Sequence, residues 1–328
     1  MGDVAMTIPV LRAFTEKYPE VKITVLTREF FKPFFRDLPN VSVFSADVKG
    51  KHKGLLGLFR LSKTLKKLEI DAVADLHNVL RSNLLKFFFL GTKCIQIDKG
   101  RTEKNGLISG ENFQQLKTTH QRYADVFSKL GFPLDLSKPS FPKPCSIYER
   151  MEYIIESHNG KNVKKWIGIA PFAAHEGKMY PLDLMKEVID ILSKEYKLFL
   201  FGGGKNEIDF LQQIADKYKD VVSLAGKLHL DSELDVISNL DVMLSMDSGN
   251  AHIAAMLGVK VISIWGVTHP FAGFAPFNQP EDYALLSDRN QFSLIPTSIY
   301  GNKYPESYKE ASRSISPETV VNKIKSIF

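Results

Sequence analysis

The sequence predicts an α/β protein with two doubly wound domains, and three observations support that prediction. Short apolar runs of strand length alternate with amphipathic helical patterns along most of the chain. The alternation stops in a proline-punctuated stretch, residues 131–144, and then starts again, as expected at a linker between domains. The length of 328 residues and the hydrophobic content of 44% suit two domains with sizeable cores.

In the first half, four short apolar runs have the length and composition of strands: Val21–Thr27, Val41–Phe44, Ala72–Leu76 and Lys93–Ile97. Apolar residues at helical spacing predict helices that cover a sheet, over Leu55–Leu68, Val79–Phe89 and Gln121–Leu130. A doubly wound domain normally opens with a strand, but this chain passes from Met1 directly into a helical pattern, Ala5–Tyr18. We therefore expect a first strand to be missing, which would expose neighbouring strand edges and leave Asp3 on a frayed terminus.

The second half repeats the pattern with more continuously apolar strands. These are Trp166–Ala170, Lys197–Phe201, Val221–Leu224, Val242–Met246 and Val259–Ile264, separated by helical patterns over Leu182–Glu195, Glu207–Lys217, Ser232–Asn239 and His252–Leu257. Continuous apolar strands between helices predict a parallel sheet covered on both faces. We place the N-terminal domain at residues 1–145 and the C-terminal domain at 146–315, facing each other across a cleft. A last helix follows at 316–328, capped by Ser316, and we consider that it packs back on the N-terminal domain.

Charge is distributed unevenly along the chain. Residues 1–150 hold 25 Lys or Arg and 15 Asp or Glu, a balance of +10, whereas the remaining residues hold 18 and 22, a balance of −4. This asymmetry predicts an anionic partner for the first domain, such as a membrane surface, an acidic glycolipid or nucleic acid; a solvated basic face is the alternative. Nucleic acid is the least favoured, because no aromatic stacking motif is interleaved with the basic residues.

Other classes of protein are disfavoured by composition. Two distant cysteines, Cys94 and Cys145, predict neither a disulfide scaffold nor a cysteine zinc site, and they suit a reducing cytoplasm. The start of the chain lacks a basic segment followed by an apolar core, and no run approaches the ~20 apolar residues that span a bilayer. No His or carboxylate spacing resembles a zinc or calcium site, so we expect no metal.

The most informative stretch is Asp247 to His252, which follows one predicted strand and opens a helix. Ligands of open α/β sheets bind at the carboxyl ends of strands, where helix starts present unpaired N–H groups and a partial positive charge. Ser248 and the backbone near Gly249 can bind phosphate oxygens, and His252 can add a donor. We interpret the cluster as a diphosphate site; an Asp/Ser helix cap beside a buried histidine is the alternative.

Further candidates are weaker one by one. Lys178, in the loop after the first strand of the second half, could neutralise a phosphate, although a lone loop lysine is usually solvent-exposed. Glu207 follows a Gly-rich turn and could bond ribose hydroxyls. In the first half, Asp3 is either a helix cap or a general base. Two polar clusters that could meet an anionic acceptor, or simply lie at the surface, contain Arg81 and Ser82, and His120 and Arg122.

In this order, the motifs resemble those of the ADP-heptose:lipopolysaccharide heptosyltransferases of glycosyltransferase family 9. The matching segments are Gly2-Asp3 with Pro9 to Phe14, Asp75 to Ser82, His120 to Tyr123, Lys178 to Pro181, Leu224 to Lys227, Asp247 to Gly258, and Trp265 to Pro270. The resemblance covers residue 2 to about residue 276, and the Asp247 to Gly258 segment is its most specific part.

The resemblance implies a GT-B fold, with the acceptor in the N-terminal domain and the sugar nucleotide in the C-terminal one. It implies inverting, metal-independent transfer of a heptose from an ADP-sugar to a lipopolysaccharide core, without a resident cofactor, at the inner face of the inner membrane. Asp3 would be the base, and the donor would contact Lys178, Glu207, Leu228, Asp247, Ser248, Gly249 and His252. Arg81, Ser82, His120 and Arg122 would contact the acceptor.

Three departures from the family pattern leave alternatives open. The missing first strand predicts a poorly active chain or one that only binds a sugar nucleotide or glycolipid. Ala173 and Ala174 stand where some members present hydroxyls to phosphate, and His269 stands where the family commonly has Asp, so the donor preference could differ. Another GT-B-like activity, nucleotide-sugar epimerisation, is the second enzymatic hypothesis.

Overall fold

A computed structural model describes residues 1–146 and 164–328 of the chain. In chain order, its regular elements are α1 Gly2–Ala5, α2 Thr7–Lys17, β1 Ile23–Thr27, β2 Val41–Ser45, α3 Gly54–Lys66, β3 Ala72–Asp75, α4 Leu80–Phe87, β4 Lys93–Gln96, α5 Arg101–Ser109, α6 Thr119–Leu130, β5 Trp166–Ala170, α7 Leu182–Ser193, β6 Lys197–Leu200, α8 Lys205–Ala215, β7 Val221–Ser223, α9 Leu230–Ser238, β8 Val242–Met246, α10 Gly249–Met256, β9 Lys260–Trp265, β10 Ala284–Leu286 and α11 Pro317–Lys325.

The chain divides into two compact units by its internal contacts. The first contains Met1, Asp3–Arg101 and Lys117–Ser140, and the second contains Gly2, Thr102–Leu116 and Phe141–Phe328. The segment 102–116 therefore groups with the second unit, although it precedes the proline-rich stretch in the chain. The predicted domain limits at 145 and 315 and the predicted roles of the two domains stay predictions.

In the first unit, the described strands form two separate parallel pairs. β1 pairs with β2 from Ile23–Val41 onward, and β3 pairs with β4 from Ala72–Lys93 onward. Helices α3 and α4 cover an apolar cluster built around the buried residues Ala46, Leu58, Leu61, Leu65 and Phe89. Full burial of a leucine side chain contributes roughly 1.5–3 kcal/mol to stability. Helix α6 begins at a Thr118 cap, whose hydroxyl accepts the Gln121 N–H at 3.2 Å, and ends at Gly131.

The second unit is built on one six-stranded sheet in the order β10-β9-β8-β5-β6-β7, and every described pairing in it is parallel. From β5 the chain proceeds to β6 and β7 on one side, and then returns to β8, β9 and β10 on the other. The point of reversal therefore lies between β5 and β8. Ligands of doubly wound sheets bind at such a switch point, outside the carboxyl ends of the strands.

The C-terminal helix α11 packs within the second unit. Ser316 caps it by accepting the Thr319 N–H at 3.2 Å, and Pro317 occupies its first turn. Val320 and Ile324 are fully buried in the core that also contains the apolar residues of α7. Packing on the N-terminal domain was the arrangement considered from the sequence; in the structure, the apolar face of α11 is occupied by the core of the second unit.

The predicted α/β class is confirmed, and every predicted strand is present with bounds that differ by at most two residues. Two elements were missed because they carry little periodic signal: β10 has three residues, and α5 is mostly polar on its surface. The single helical pattern predicted over Ala5–Tyr18 is interrupted at Met6, between α1 and α2. Within residues 1–146 and 164–328, no helix combines the length and apolar character that crossing a bilayer requires.

Candidate functional site

The donor-site residues predicted for the second half all follow strands of the one parallel sheet. Lys178 lies in the loop after β5, Glu207 in the first turn of α8 after β6, Leu228 in the turn after β7, and Asp247 directly after β8. Because these strands are parallel, their carboxyl ends share one edge of the sheet. The structure thus places these residues along a single edge, and Lys178 and Asp247 at the switch point between β5 and β8.

Lys178 and Asp247 form a buried ion pair at this switch point. The Lys178 Nζ lies 2.7 Å from the Asp247 Oδ2, and their side chains are 15% and 6% exposed. The Thr268 hydroxyl, from the loop after β9, donates to the same oxygen at 2.9 Å. The carboxylate therefore holds the ammonium group in one position and leaves its other N–H bonds available to a ligand. Thr268 was missed as a site residue, although it lies in the Trp265 to Pro270 segment that matches the family motif.

The stem of Lys178 needs the glycine at position 301. Gly301 has a φ of +71°, and a Cβ atom there would lie 2.6 Å from the Lys178 Cγ. The Lys178 loop is also fixed from the other side, because the Val267 N–H donates to the Gly177 carbonyl at 2.8 Å. Three segments that are distant in sequence thus determine where the ammonium group sits.

Helix α10 begins at this same point, and no side-chain cap among the described residues closes its first turn. Ser248 is its N-cap residue, but within the described structure its hydroxyl makes no capping bond and lies 3.0 Å from the Ser245 hydroxyl. The first N–H groups of any α-helix have no partners inside the helix, and they carry a partial positive charge. His252, 7% exposed, lies in the first turn. Gly249 and the following N–H groups, together with the Lys178 ammonium, form a positively polarised surface suited to a diphosphate.

Glu207 and Leu228 have local roles that do not require a ligand. The Glu207 Oε2 accepts the N–H groups of Gly203 and Gly204 at 2.8 and 3.3 Å, and so closes the Gly-rich turn before α8. Leu228 is half-buried in the turn between β7 and α9. Their assignment to donor binding stays a prediction.

His269 is a buried neutral imidazole beside the predicted site. Its Nδ1 accepts the Phe271 N–H at 3.2 Å, which leaves the proton on Nε2. The rings of Phe113 and Phe271 lie 5.0 and 4.4 Å from it. Burial, with a further contribution from the nearby Arg289 cation, lowers the pKa of His269 to about 4.

This lowered pKa predicts an acid-sensitive component of stability. In the unfolded chain, His269 binds a proton below its ordinary pKa of 6.5, whereas in the folded protein it does so only near pH 4. The free energy of unfolding therefore falls as the pH drops from about 6.5 to about 4. Asn at position 269 can still accept the Phe271 N–H. When the pH is lowered from 7 to 4.5, the free energy of unfolding should fall in both proteins. We expect this fall, measured by urea denaturation, to be ~2 kcal/mol smaller in His269→Asn than in the unsubstituted chain. The exposed His229→Asn serves as control; equal losses in all three proteins would refute the assignment.

Asp3 lies in the first unit, in the short helix α1, with its side chain exposed. The buried Tyr123 of α6 donates its hydroxyl to the Asp3 carbonyl at 3.3 Å. Burial raises the pKa of Tyr123, and the Asp3 charge raises it further, so the phenol keeps its proton and its hydrogen bond. A hydrogen bond to α6 thus holds the main chain at Asp3, while the Asp3 side chain is exposed to solvent. A general base needs such exposure to reach its substrate.

Among the predicted acceptor residues, Ser82 is engaged in structure and Arg81 is exposed. Asp75, at the end of β3, accepts the Asn78 N–H at 2.9 Å and the Ser82 hydroxyl at 3.0 Å, and pairs with Lys86 at 3.2 Å. Burial pushes the pKa of Asp75 upward, but these hydrogen bonds outweigh it, and the pKa is lowered. Ser82 therefore organises the start of α4, from which Arg81 projects into solvent.

His120 and Arg122 are buried in α6, at 3% and 4% exposure. The Arg122 guanidinium donates to the Lys117 carbonyl at 3.2 Å and the Asp98 carbonyl at 3.4 Å. It lies against Gly100, whose φ is +61° and where any Cβ would overlap the guanidinium. Arg122 therefore fixes the loop after β4, a role that burial explains without an acceptor. In the described part of the chain, no three His, Cys, Asp or Glu side chains are grouped as metal ligands are.

Comparison with known proteins agrees with the fold and the motifs. The chain is 26% identical over 303 residues to the lipopolysaccharide core heptosyltransferase OpsX of Haemophilus influenzae, an alignment that covers 88% of this chain and 83% of that protein. Its fold is similar to that of the glycosyl transferase family 9 protein from Veillonella parvula, with a TM-score of 0.76, 21% identity, and 99% and 94% of the two chains covered.

A second solved structure supports the same fold. The E. coli heptosyltransferase WaaC with ADP has a TM-score of 0.67 and 17% identity, and the alignment covers 100% of this chain and 97% of that one. These likenesses confirm the predicted GT-B class. The family model described as glycosyltransferase family 9 (heptosyltransferase) matches residues 58–293, well over half of the sequence. The chain therefore belongs to glycosyltransferase family 9 and is a glycosyltransferase.

Proposed function

We propose that this enzyme transfers a heptose from an ADP-sugar to a lipopolysaccharide core acceptor. The observation that carries the proposal is the Lys178–Asp247 ion pair beside the open first turn of α10, at the switch point of the second sheet. The similarity to a lipopolysaccharide core heptosyltransferase supports heptose as the sugar and the lipopolysaccharide core as the acceptor. The ADP in one solved heptosyltransferase supports ADP as the nucleotide of the donor. The second unit is accordingly proposed as the donor domain and the first as the acceptor domain.

The proposed donor contacts divide between charge and positioning. Lys178 and the N–H groups from Gly249 onward bind the diphosphate, and Ser248 and His252 add hydrogen bonds. Asp247 acts by orienting Lys178, because its Oδ2 is already occupied by the ammonium and by Thr268. Glu207 and Leu228 line the nucleoside end of the pocket. As the sugar leaves, negative charge grows on the diphosphate, and a preorganised cation and helix start stabilise it most at that moment.

Asp3 is the proposed general base. It accepts the proton of the attacking acceptor hydroxyl while that oxygen bonds to the anomeric carbon and the bond from this carbon to the diphosphate oxygen breaks. The leaving ADP carries away the electron pair. Attack on the face opposite to the leaving group inverts the anomeric configuration. The exposed carboxylate and the fixed main chain of Asp3 support this role.

The reaction is proposed to need neither a metal ion nor a resident cofactor. A cation at the diphosphate is the usual contribution of a metal in sugar transfer, and here Lys178 and the start of α10 can provide positive charge at that position. On the acceptor side, the exposed Arg81 is the strongest of the predicted contacts. Ser82, His120 and Arg122 are proposed to act by holding the acceptor loops in place. A lipid-anchored acceptor would bring the enzyme to the inner face of the inner membrane as a peripheral protein.

The test is the transfer reaction with purified protein. ADP-heptose and lipopolysaccharide truncated in its inner core should give an acceptor heavier by one heptose, together with one ADP, in the presence or absence of EDTA. UDP- and GDP-sugars should give no product at the same concentration. Loss of transfer on EDTA treatment, restored by a divalent cation, would overturn the metal-independent part of the proposal.

A further inference from the structure

Two neighbouring helices of the first unit expose large apolar side chains in stripes. On α3 these are Leu55, Leu56 and Phe59, and on α4 they are Leu80, Leu84 and Phe87. Leu56, Leu80 and Phe87 are 75%, 78% and 66% exposed. Large apolar side chains that are grouped at the surface in this way indicate an interaction site. We refer to these six residues as the apolar face.

The two stripes are joined by an aromatic contact through the half-buried Phe88. The ring of Phe88 lies 5.5 Å from that of Phe59 and 6.0 Å from that of Phe87. On the opposite sides of the same helices, Leu58, Leu61, Leu65 and Leu85 pack in the core of the unit. Each helix is therefore apolar on two sides, one that faces the core and one that faces solvent.

Basic residues accompany the α3 part of the apolar face, without acidic neighbours in that stretch of sequence. Residues 48–68 hold seven Lys or Arg and no Asp or Glu. The Lys63 Nζ lies 4.6 Å above the centre of the Phe59 ring, which places a cation directly beside the apolar face. Arg60 on the same helix and Lys67 directly after its last residue are exposed. This combination of exposed Leu and Phe with Lys and Arg is the pattern of surfaces that lie on anionic bilayers.

We propose that α3 and α4 dock the enzyme on an anionic phospholipid surface through the apolar face and its surrounding basic residues. The charge argues for lipid over a second copy of this chain, because two copies meeting through this face would bring like charges together. The inference rests on the proposed function only in that a lipid-anchored acceptor places the enzyme at a membrane. Lipid binding itself needs neither donor nor acceptor.

The proposal is tested by sedimentation with sucrose-loaded vesicles. Vesicles of phosphatidylglycerol and phosphatidylcholine should bind the protein, and vesicles of phosphatidylcholine alone should bind it at least about tenfold more weakly, since each surface charge adds to the affinity. The variant Leu56→Ser/Phe87→Ser should lose about tenfold or more in binding, because it removes two inserted side chains. Arg60→Gln/Lys67→Gln should weaken binding and flatten its dependence on salt.

The matched control is Leu294→Ser/Tyr300→Ser in the second unit, where both residues are 59% exposed. This control should bind vesicles as the unsubstituted chain does. Transfer to a short water-soluble acceptor should be unchanged in Leu56→Ser/Phe87→Ser, so failure of docking is distinguished from failure of the proposed function. The proposal is overturned if the protein does not bind anionic vesicles, or if the apolar-face variant Leu56→Ser/Phe87→Ser binds them normally. It is also overturned if the protein self-associates without binding vesicles and that variant abolishes the self-association.

Discussion

Replacing Asp3 with asparagine is expected to lower kcat for sugar transfer by about 100- to 10,000-fold, the range that a general base contributes. Asparagine keeps the size and polarity of the side chain but cannot accept the proton of the acceptor hydroxyl. ADP binding should be unchanged, because Lys178 and α10 provide the proposed diphosphate contacts. The measurement pairs transfer kinetics with calorimetric titration of ADP into the same preparation.

Two variants show whether the effect is specific to this carboxylate. Asp71→Asn removes another exposed carboxylate of the first unit and should transfer normally. Tyr123→Phe removes the hydroxyl that donates to the Asp3 carbonyl, so it should disturb the position of the base and cost much less than loss of the base itself. Transfer by Asp3→Asn within a few-fold of the unsubstituted rate would show that Asp3 is not the base.

Replacing Asp247 with alanine is expected to lower the free energy of unfolding by about 3–5 kcal/mol, because it leaves the Lys178 ammonium buried without its carboxylate. The same change should weaken ADP binding, since nothing then orients the ammonium. Lys178→Met should weaken ADP binding by about 10- to 100-fold, the value of a charged hydrogen bond. Urea denaturation and calorimetry measure the two effects separately.

The double variant Lys178→Met/Asp247→Leu distinguishes stability from binding. Without either charge, its stability should be higher than the sum of the single losses predicts, while ADP binding should remain weak. An exposed pair in the same unit provides the control: Lys323 and Asp282 lie 2.9 Å apart, and Asp282→Ala should cost about 0–1 kcal/mol. Normal ADP affinity in Lys178→Met would exclude this ammonium from the donor site.

The second, parallel sheet was predictable, because buried parallel strands appear as continuous apolar runs. The cluster from Asp247 to His252 was predictable for a similar reason: an acid, a hydroxyl and a glycine between a strand and a helix are more polar than a turn requires. The partner of Asp247 was not predictable from spacing. Lys178 lies 69 residues away, and only the adjacency of β5 and β8 brings the two side chains together.

The burial of polar residues in the first unit was not predictable from the sequence. Arg122 and Ser82 belong to polar motifs, and a motif does not reveal burial. In the structure, Arg122 holds the loop after β4 and Ser82 bonds to Asp75, both through contacts set by tertiary packing. The exposure of the α3 and α4 stripes was not predictable for the same reason, since an apolar residue at helical spacing normally lies in the core.

The most direct test of the central claim is the transfer of heptose from ADP-heptose to truncated lipopolysaccharide, followed by mass spectrometry of the acceptor and NMR of the new glycosidic bond. We expect one added heptose for each ADP released, with an anomeric configuration opposite to that of the donor. ADP release without a heavier acceptor, or a product that retains the donor configuration, would contradict it.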